Sequence, residues 1–129
     1  MSDLPVACDH CVIHVSDWQV AKEFYTQVMG AEAIDVNDGY VFRWGNFQLN
    51  CHGPDKFAEP KALKPVEPGN SDLCFRWDGP ISDAMAHLEM QGIDIELGPV
   101  QRFGAQNEGT SLSFRDPDGS LLEFISYDN

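Results

Sequence analysis

Basic residues are scarce in this 129-residue chain: eight Lys and Arg stand against 21 Asp and Glu, a formal charge of -13 at pH 7. Such a field repels phosphate backbones and anionic lipid heads, and no run of Lys or Arg overrides it. Nucleic acid is therefore not an expected partner. Long apolar runs are missing too: no stretch approaches the roughly eighteen residues of a membrane span. The opening sequence MSDLPVACDHCV lacks a basic region ahead of an apolar one, so neither a membrane nor a secretory destination is expected, and the location reads as cytoplasmic. Cysteine is sparse. Cys8, Cys11, Cys51 and Cys74, in a chain with ample Leu, Ile, Val, Phe and Trp, do not make a disulfide scaffold. No low-complexity tract and no Gly/Ser linker divides the chain, whose length fits one domain.

What is present is a repeated order of elements. Asp9-His10-Cys11-Val12-Ile13-His14-Val15 reads as a strand. Ser16-Asp17-Trp18-Gln19 has a capping-box pattern, and the helix it opens sets Ala21, Phe24, Tyr25 and Val28 on one face before Gly30 closes it. Ala33–Val36, an Asn37-Asp38-Gly39 turn, Tyr40–Trp44, a Gly45-Asn46 turn and Phe47–His52 read as three strands joined by hairpins. Residues 53–70, with four prolines and three lysines, read as a crossing loop. The order then recurs: a strand at Asp72–Trp77, a helix with Ile81, Ala84, Met85 and Leu88 inward and Gly92 at its end, and strands at Ile93–Leu97 and Ser111–Arg115. An Asp116-Pro117-Asp118-Gly119 turn leads into the last strand, Leu121–Tyr127. The chain is βαβββ twice, with module one at 8–52, the crossing loop at 53–70 and module two at 71–127.

Alternation along strands sorts the side chains. In the first strand Cys11, Ile13 and Val15 form an apolar row that can pack on the helix, leaving His10, Val12 and His14 on the other face. Gln48, Asn50 and His52 oppose Phe47, Leu49 and Cys51. In the second half Asp72, Cys74 and Arg76 share a face, and Glu123 shares one with Leu121, Ile125 and Tyr127. A pseudo-two-fold relation between halves would set His10 against Asp72 and His52 against Glu123. Two imidazoles and one or two carboxylates meeting at one point make a site for a borderline divalent metal. A buried Glu123 would be costly unless paired or coordinated.

These residues carry a resemblance. Asp9-His10, Phe24-Tyr25 followed by Val28-Met29-Gly30, and Phe114-Arg115-Asp116-Pro117-Asp118-Gly119 leading to Leu122-Glu123 resemble the vicinal oxygen chelate superfamily of glyoxalases, bleomycin resistance proteins and extradiol dioxygenases. Phe47–His52 and Gly98-Pro99-Val100-Gln101-Arg102 are similar to small glyoxalase-domain proteins. The resemblance implies an α+β fold in which two βαβββ modules form an incomplete barrel around one divalent ion (Zn, Ni, Fe(II) or Mn), with His10, His52 and Glu123 as ligands. Asp72 stands where many relatives carry a histidine, and it can ligate, bind through water or leave its place open. The implied partner is a small molecule, and the implied assembly a homodimer.

Three functions follow from that resemblance. A glyoxalase I-like lyase/isomerase, working through an enediolate with Glu123 and Asp72 as catalytic carboxylates, is the preferred expectation. An Fe(II) extradiol ring-cleaving dioxygenase is the second. A non-catalytic protein that sequesters a small molecule is the third, and the metal-ligand residue types argue against it. Arg76 and Arg102 are candidates for anchoring an anionic substrate group, and His14 for a place beside the substrate. A structural zinc site at Cys8-x-x-Cys11 with Cys51-His52 is opposed by strand parity. Tyr40, Phe42, Trp44 and Trp77 read as packing residues.

Overall fold

A computed structural model describes residues 3–36, 39–55 and 59–128. The expected Asn37-Asp38-Gly39 turn falls largely outside the described residues. The chain divides into two compact units, residues 1–66 and 67–129. Each is one βαβββ module, so the architecture is α+β and duplicated.

Unit 1 contains β1 (His10–His14), α1 (Trp18–Gln27), β2 (Glu32–Val36), β3 (Gly39–Trp44) and β4 (Phe47–His52). Its sheet runs β1-β4-β3-β2, with β1 parallel to β4 and the other pairs antiparallel. The helix starts one residue later than the capping-box pattern suggests. Asp17, not Ser16, is the cap, its Oδ1 accepting from the Val20 amide at 3.0 Å. Gln19 turns along the helix instead and donates to Glu23. Ala21, Phe24, Tyr25 and Val28 are all buried as their spacing requires. The helix ends at Gln27 with Val28 as its cap. The chain then turns at Gly30, whose φ of +73° suits a residue without Cβ, and the Ala31 amide donates to the Tyr25 carbonyl. Ile13, Val15, Phe42 and Leu49 fill the space beneath it. Trp18 lies so close over Gly39 and Gly53 that a Cβ on either would overlap its ring.

Unit 2 contains β5 (Asp72–Arg76), α2 (Ile81–Met90), β6 (Leu97–Phe103), β7 (Glu108–Arg115) and β8 (Leu121–Ser126). Its sheet runs β5-β8-β7-β6, again with the first pair parallel. Ala84 and Leu88 of α2 are fully buried and Phe114 packs on Phe124 at 4.9 Å between ring centres. The Asp116–Gly119 turn forms as expected: Asp116 Oδ1 accepts from the amides of Asp118 and Ser120 at 3.0 and 2.9 Å.

One strand is displaced from its expected place. Ile93–Leu97 alternates like a strand, yet β6 begins where that segment ends, at Leu97. The Ile93 amide is used by the helix end, donating to the Leu88 carbonyl. Pairing with β7 starts at Leu97, skips across Gly98-Pro99 in a register shift and resumes at Val100. A proline has no amide for a ladder, so the irregularity falls where the sequence demands it. No helix among the described residues is long and apolar enough to cross a membrane.

Candidate functional site

The face of unit 1 turned away from α1 begins with His10. Its Nδ1 lies 2.8 Å from Asp9 Oδ2; in the tautomer that donates from Nδ1 to this carboxylate, Nε2 carries the free lone pair. A carboxylate on the far ring nitrogen is the arrangement that orients metal-binding histidines. Farther along, Val12 pairs with Asn50 and His14 pairs with His52. Facing neighbours on parallel strands are about 4.8 Å apart, so His14 and His52 stand side by side. Nδ1 of each is shielded from solvent. Asn50 is held from the other direction: Gln48 Nε2 donates to its Oδ1 at 2.6 Å, and Gln48 Oε1 accepts from Arg43 Nε and Nη2 at 3.0 and 2.9 Å.

The two parallel ladders correspond position for position. His10 to His14 pair with Gln48 to His52, and Asp72 to Arg76 pair with Leu121 to Ile125. The first residues of β1 and β5, His10 and Asp72, are therefore equivalent, as the sequence suggests. Glu123 pairs with Cys74, the third residue of β5; the third residue of β1, Val12, pairs with Asn50. The counterpart of Glu123 is thus Asn50, and His52 is the counterpart of Ile125. His10 and His52 belong to rows four residues apart, about 13 Å along the strands. The register therefore sets His52 beside His14 rather than beside His10. Asn50 escaped sequence reasoning because alternation says which face a residue takes, not which neighbour it meets across the ladder.

In unit 2, Cys74, Arg76, Arg102, Glu123 and Tyr127 line one cavity of about 410 Å³. Cys74 sits beside Glu123 in the ladder, with Asp72 two residues along. Burial first, and then the charges of Glu123 and Asp72, push its thiol up to about 11. At neutral pH Cys74 is therefore an uncharged thiol and a poor nucleophile. Its alkylation by iodoacetamide, followed by peptide mass spectrometry, is expected to keep accelerating about tenfold per pH unit from 7 to 10. A plateau below pH 9 would contradict this placement. Arg76 is gripped by Asp78, Nε to Oδ1 at 2.6 Å and Nη2 to Oδ2 at 3.4 Å. That hydrogen bond raises the guanidinium and holds the Asp78 carboxyl below its usual range. Among the described residues Arg102 donates to a backbone carbonyl, Gln101 O, at 3.1 Å.

The cavity thus joins three residues singled out in the sequence, Arg76, Arg102 and Glu123, and adds Phe103, Gly104 and Tyr127. Among the described residues no three His, Cys, Asp or Glu side chains form a ready-made metal cluster; His10 and His52 belong to unit 1 and Glu123 to unit 2. Cys8 lies outside β1, which begins at His10, so strand parity does not separate it from Cys11. Burial first, and then the neighbouring Cys8, raises the Cys11 thiol.

The chain belongs to the glyoxalase/bleomycin resistance protein/dioxygenase superfamily, whose sequence profile matches residues 7–124. It is 39% identical over 120 residues to the virulence protein STM3117 of Salmonella typhimurium, covering 92% of this chain and 83% of that one. It is 40% identical over 120 residues to the glyoxalase domain-containing protein RDO1 of Mycosarcoma maydis, covering 92% and 67%. Among solved structures, an integron cassette protein from V. cholerae superposes with a TM-score of 0.89 at 40% identity, covering 99% of this chain and 100% of that one.

Proposed function

We propose that this chain is a divalent-metal-dependent enzyme of the vicinal oxygen chelate type, a glyoxalase-like lyase/isomerase acting on a small oxygenated substrate. The observation that carries this reading is the matched pair of ladder positions. An imidazole aligned by Asp9 occupies one, and the carboxylates Asp72 and Glu123 occupy its counterpart and the place beside Cys74. Nitrogen and carboxylate oxygen suit Zn, Ni, Fe(II) or Mn, so the residues fit such an ion. His10 and Glu123 are the proposed donors. From β4 the amide oxygen of Asn50 takes the third place, since the register moves His52 one row beyond it.

A bound ion would supply Lewis acidity to two neighbouring substrate oxygens. The chain's own share is positioning and proton transfer. Asp72, exposed at the start of β5, is the proposed base for a C–H beside a carbonyl, and Glu123 is kept as donor. The same register disfavours ring cleavage by Fe(II), which needs two imidazoles and one carboxylate around the iron.

Protein purified without added ions is expected to carry about one transition metal per chain by elemental analysis, and to isomerise the methylglyoxal–glutathione adduct. Asn50→Ala should weaken metal binding about tenfold or more, while His52→Ala stays within about twofold. The opposite ranking would return His52 to the donor set. A chain that binds no divalent ion at all would sink the enzyme reading in favour of sequestration.

A further inference from the structure

The cavity of unit 2 has a chemistry of its own. Its floor is β8 and the residue that follows it: Glu123, Ile125 and Tyr127 line the cavity beside Cys74 and Arg76 of β5. The rows of Glu123 and Ile125 are about 6.5 Å apart, the length of a small organic acid. The rim is the segment 103–107, and it is docked rather than loose. A Cβ on Gly104 would fall 2.1 Å from Tyr127 Oη and 2.8 Å from Ile125 Cδ1, so this backbone rests directly on the floor. The Gly104 amide donates to the Asn107 carbonyl at 2.8 Å, and the Gln106 amide donates to Tyr127 Oη at 3.3 Å.

The charges around this cavity are unevenly satisfied. The chain carries 21 acidic residues against eight basic ones, so a cation has carboxylates in abundance. Arg76 and Arg115 each take one, Asp78 and Glu96 respectively. Arg102 lines the cavity with no ion pair among the described residues and one hydrogen bond to a neutral carbonyl. A guanidinium has five donors in a planar fork matched to a carboxylate. In a strongly acidic chain, a free anion reaches this surface only where such a group locally reverses the field.

We propose that this cavity binds a small hydroxy acid with an apolar substituent. The acid's carboxylate is taken by Arg102, its hydroxyl donates to Glu123, and its apolar body lies on Ile125, Tyr127 and Phe103. A volume of about 410 Å³ accommodates a single-ring acid with room for water. This deepens the enzymatic reading above by giving the substrate a class, and in that respect rests on it; the binding itself involves residues of unit 2 alone.

Mandelate is a suitable probe and mandelamide its neutral counterpart. The full chain, kept in EDTA, is titrated with each by calorimetry, with NMR shifts reporting the location. Mandelate is expected to bind at least about tenfold more tightly than the amide, the scale of a charge-assisted bidentate contact. Raising salt from about 0.05 to 0.5 M should weaken the acid and leave the amide unchanged. Arg102→Gln should remove the preference, with Arg102→Lys keeping part of it; the residue is exposed, so the fold has no stake in it. Equal affinities for acid and amide, no binding of either, or an Arg102→Gln variant that still prefers the acid would each overturn the proposal. Because EDTA removes divalent ions, these outcomes are independent of the metal measurements. A chain that holds its ion yet ignores the carboxylate would refute this inference and leave the enzyme reading in place.

Discussion

Glu123→Gln is expected to lower the affinity for a divalent ion by about a hundredfold or more, since groups that merely orient a donor already account for ten- to hundredfold. Isothermal titration or competition with a chelator measures it directly. Glutamine has nearly the same volume and still makes hydrogen bonds, so the circular dichroism spectrum and melting temperature should be preserved. A second readout locates the carboxylate independently of any metal. The negative charge of Glu123 is one of the causes that raise the Cys74 thiol. Removing that charge must move the thiol titration downward from about 11, because a neighbouring anion disfavours the thiolate. A variant whose ion affinity is unchanged while the Cys74 titration moves down would take Glu123 off the metal and leave it in the cavity. If neither moved, the whole placement of β8 against β5 would be in error.

Phe42→Ala is expected to cost about 3–5 kcal/mol, the range for deleting a fully buried aromatic ring. Phe42 is 0% exposed on β3, between the strand partners Ala33 and Leu49. Its ring stacks on Tyr25 of α1 at 4.8 Å between centres and 19° between planes. The mutation therefore opens a cavity where helix meets sheet, and it also removes one member of an aromatic stack worth something beyond its area. For a chain of this length the melting temperature should fall by roughly 10–20 °C. Urea unfolding of the same variant gives the free energy. A loss below about 1 kcal/mol would mean that the space collapses freely and that α1 is not fixed by this contact.

Much of this scaffold was legible in the residues. The apolar rows of β1, α1 and β8 are where alternation and helical spacing put them, because burying one face is the strongest demand a short element makes. The cap of α2, Gln91, stands directly before the glycine that the sequence marks, Gly92, whereas α1 is capped at Val28, two residues before Gly30. Competition among local groups was harder to read. Ser16 and Asp17 are both competent caps, and the aspartate prevails because its Oδ1 reaches the Val20 amide. Ile93–Leu97 has a strand's alternation, yet its first amide is spent on closing α2.

The site was legible only as a set of faces. That His10, Asn50, His52, Asp72, Arg76 and Glu123 share the faces turned away from the helices follows from parity. Which of them are neighbours depends on the pairing of β1 with β4 and of β5 with β8, strands separated by more than thirty residues of chain. A shift of two residues in such a pairing keeps every face and changes every partner. Asn50 was therefore hidden behind the more conspicuous His52. Arg102 was legible as a candidate anchor, but the rim around Gly104 was hidden for another reason: β6 lies later in the chain than its alternation suggests.

The identical ladders of the two halves have a chemical consequence. Since His14 and Arg76 occupy one and the same place in a repeated framework, as do Asn50 and Glu123, each copy can change its side chains without disturbing the backbone that presents them. At these places one copy offers imidazole and amide groups, the other a guanidinium and a carboxylate. Such a division of labour lets a small protein alter what it recognises by editing one copy while the other keeps its part of the chemistry.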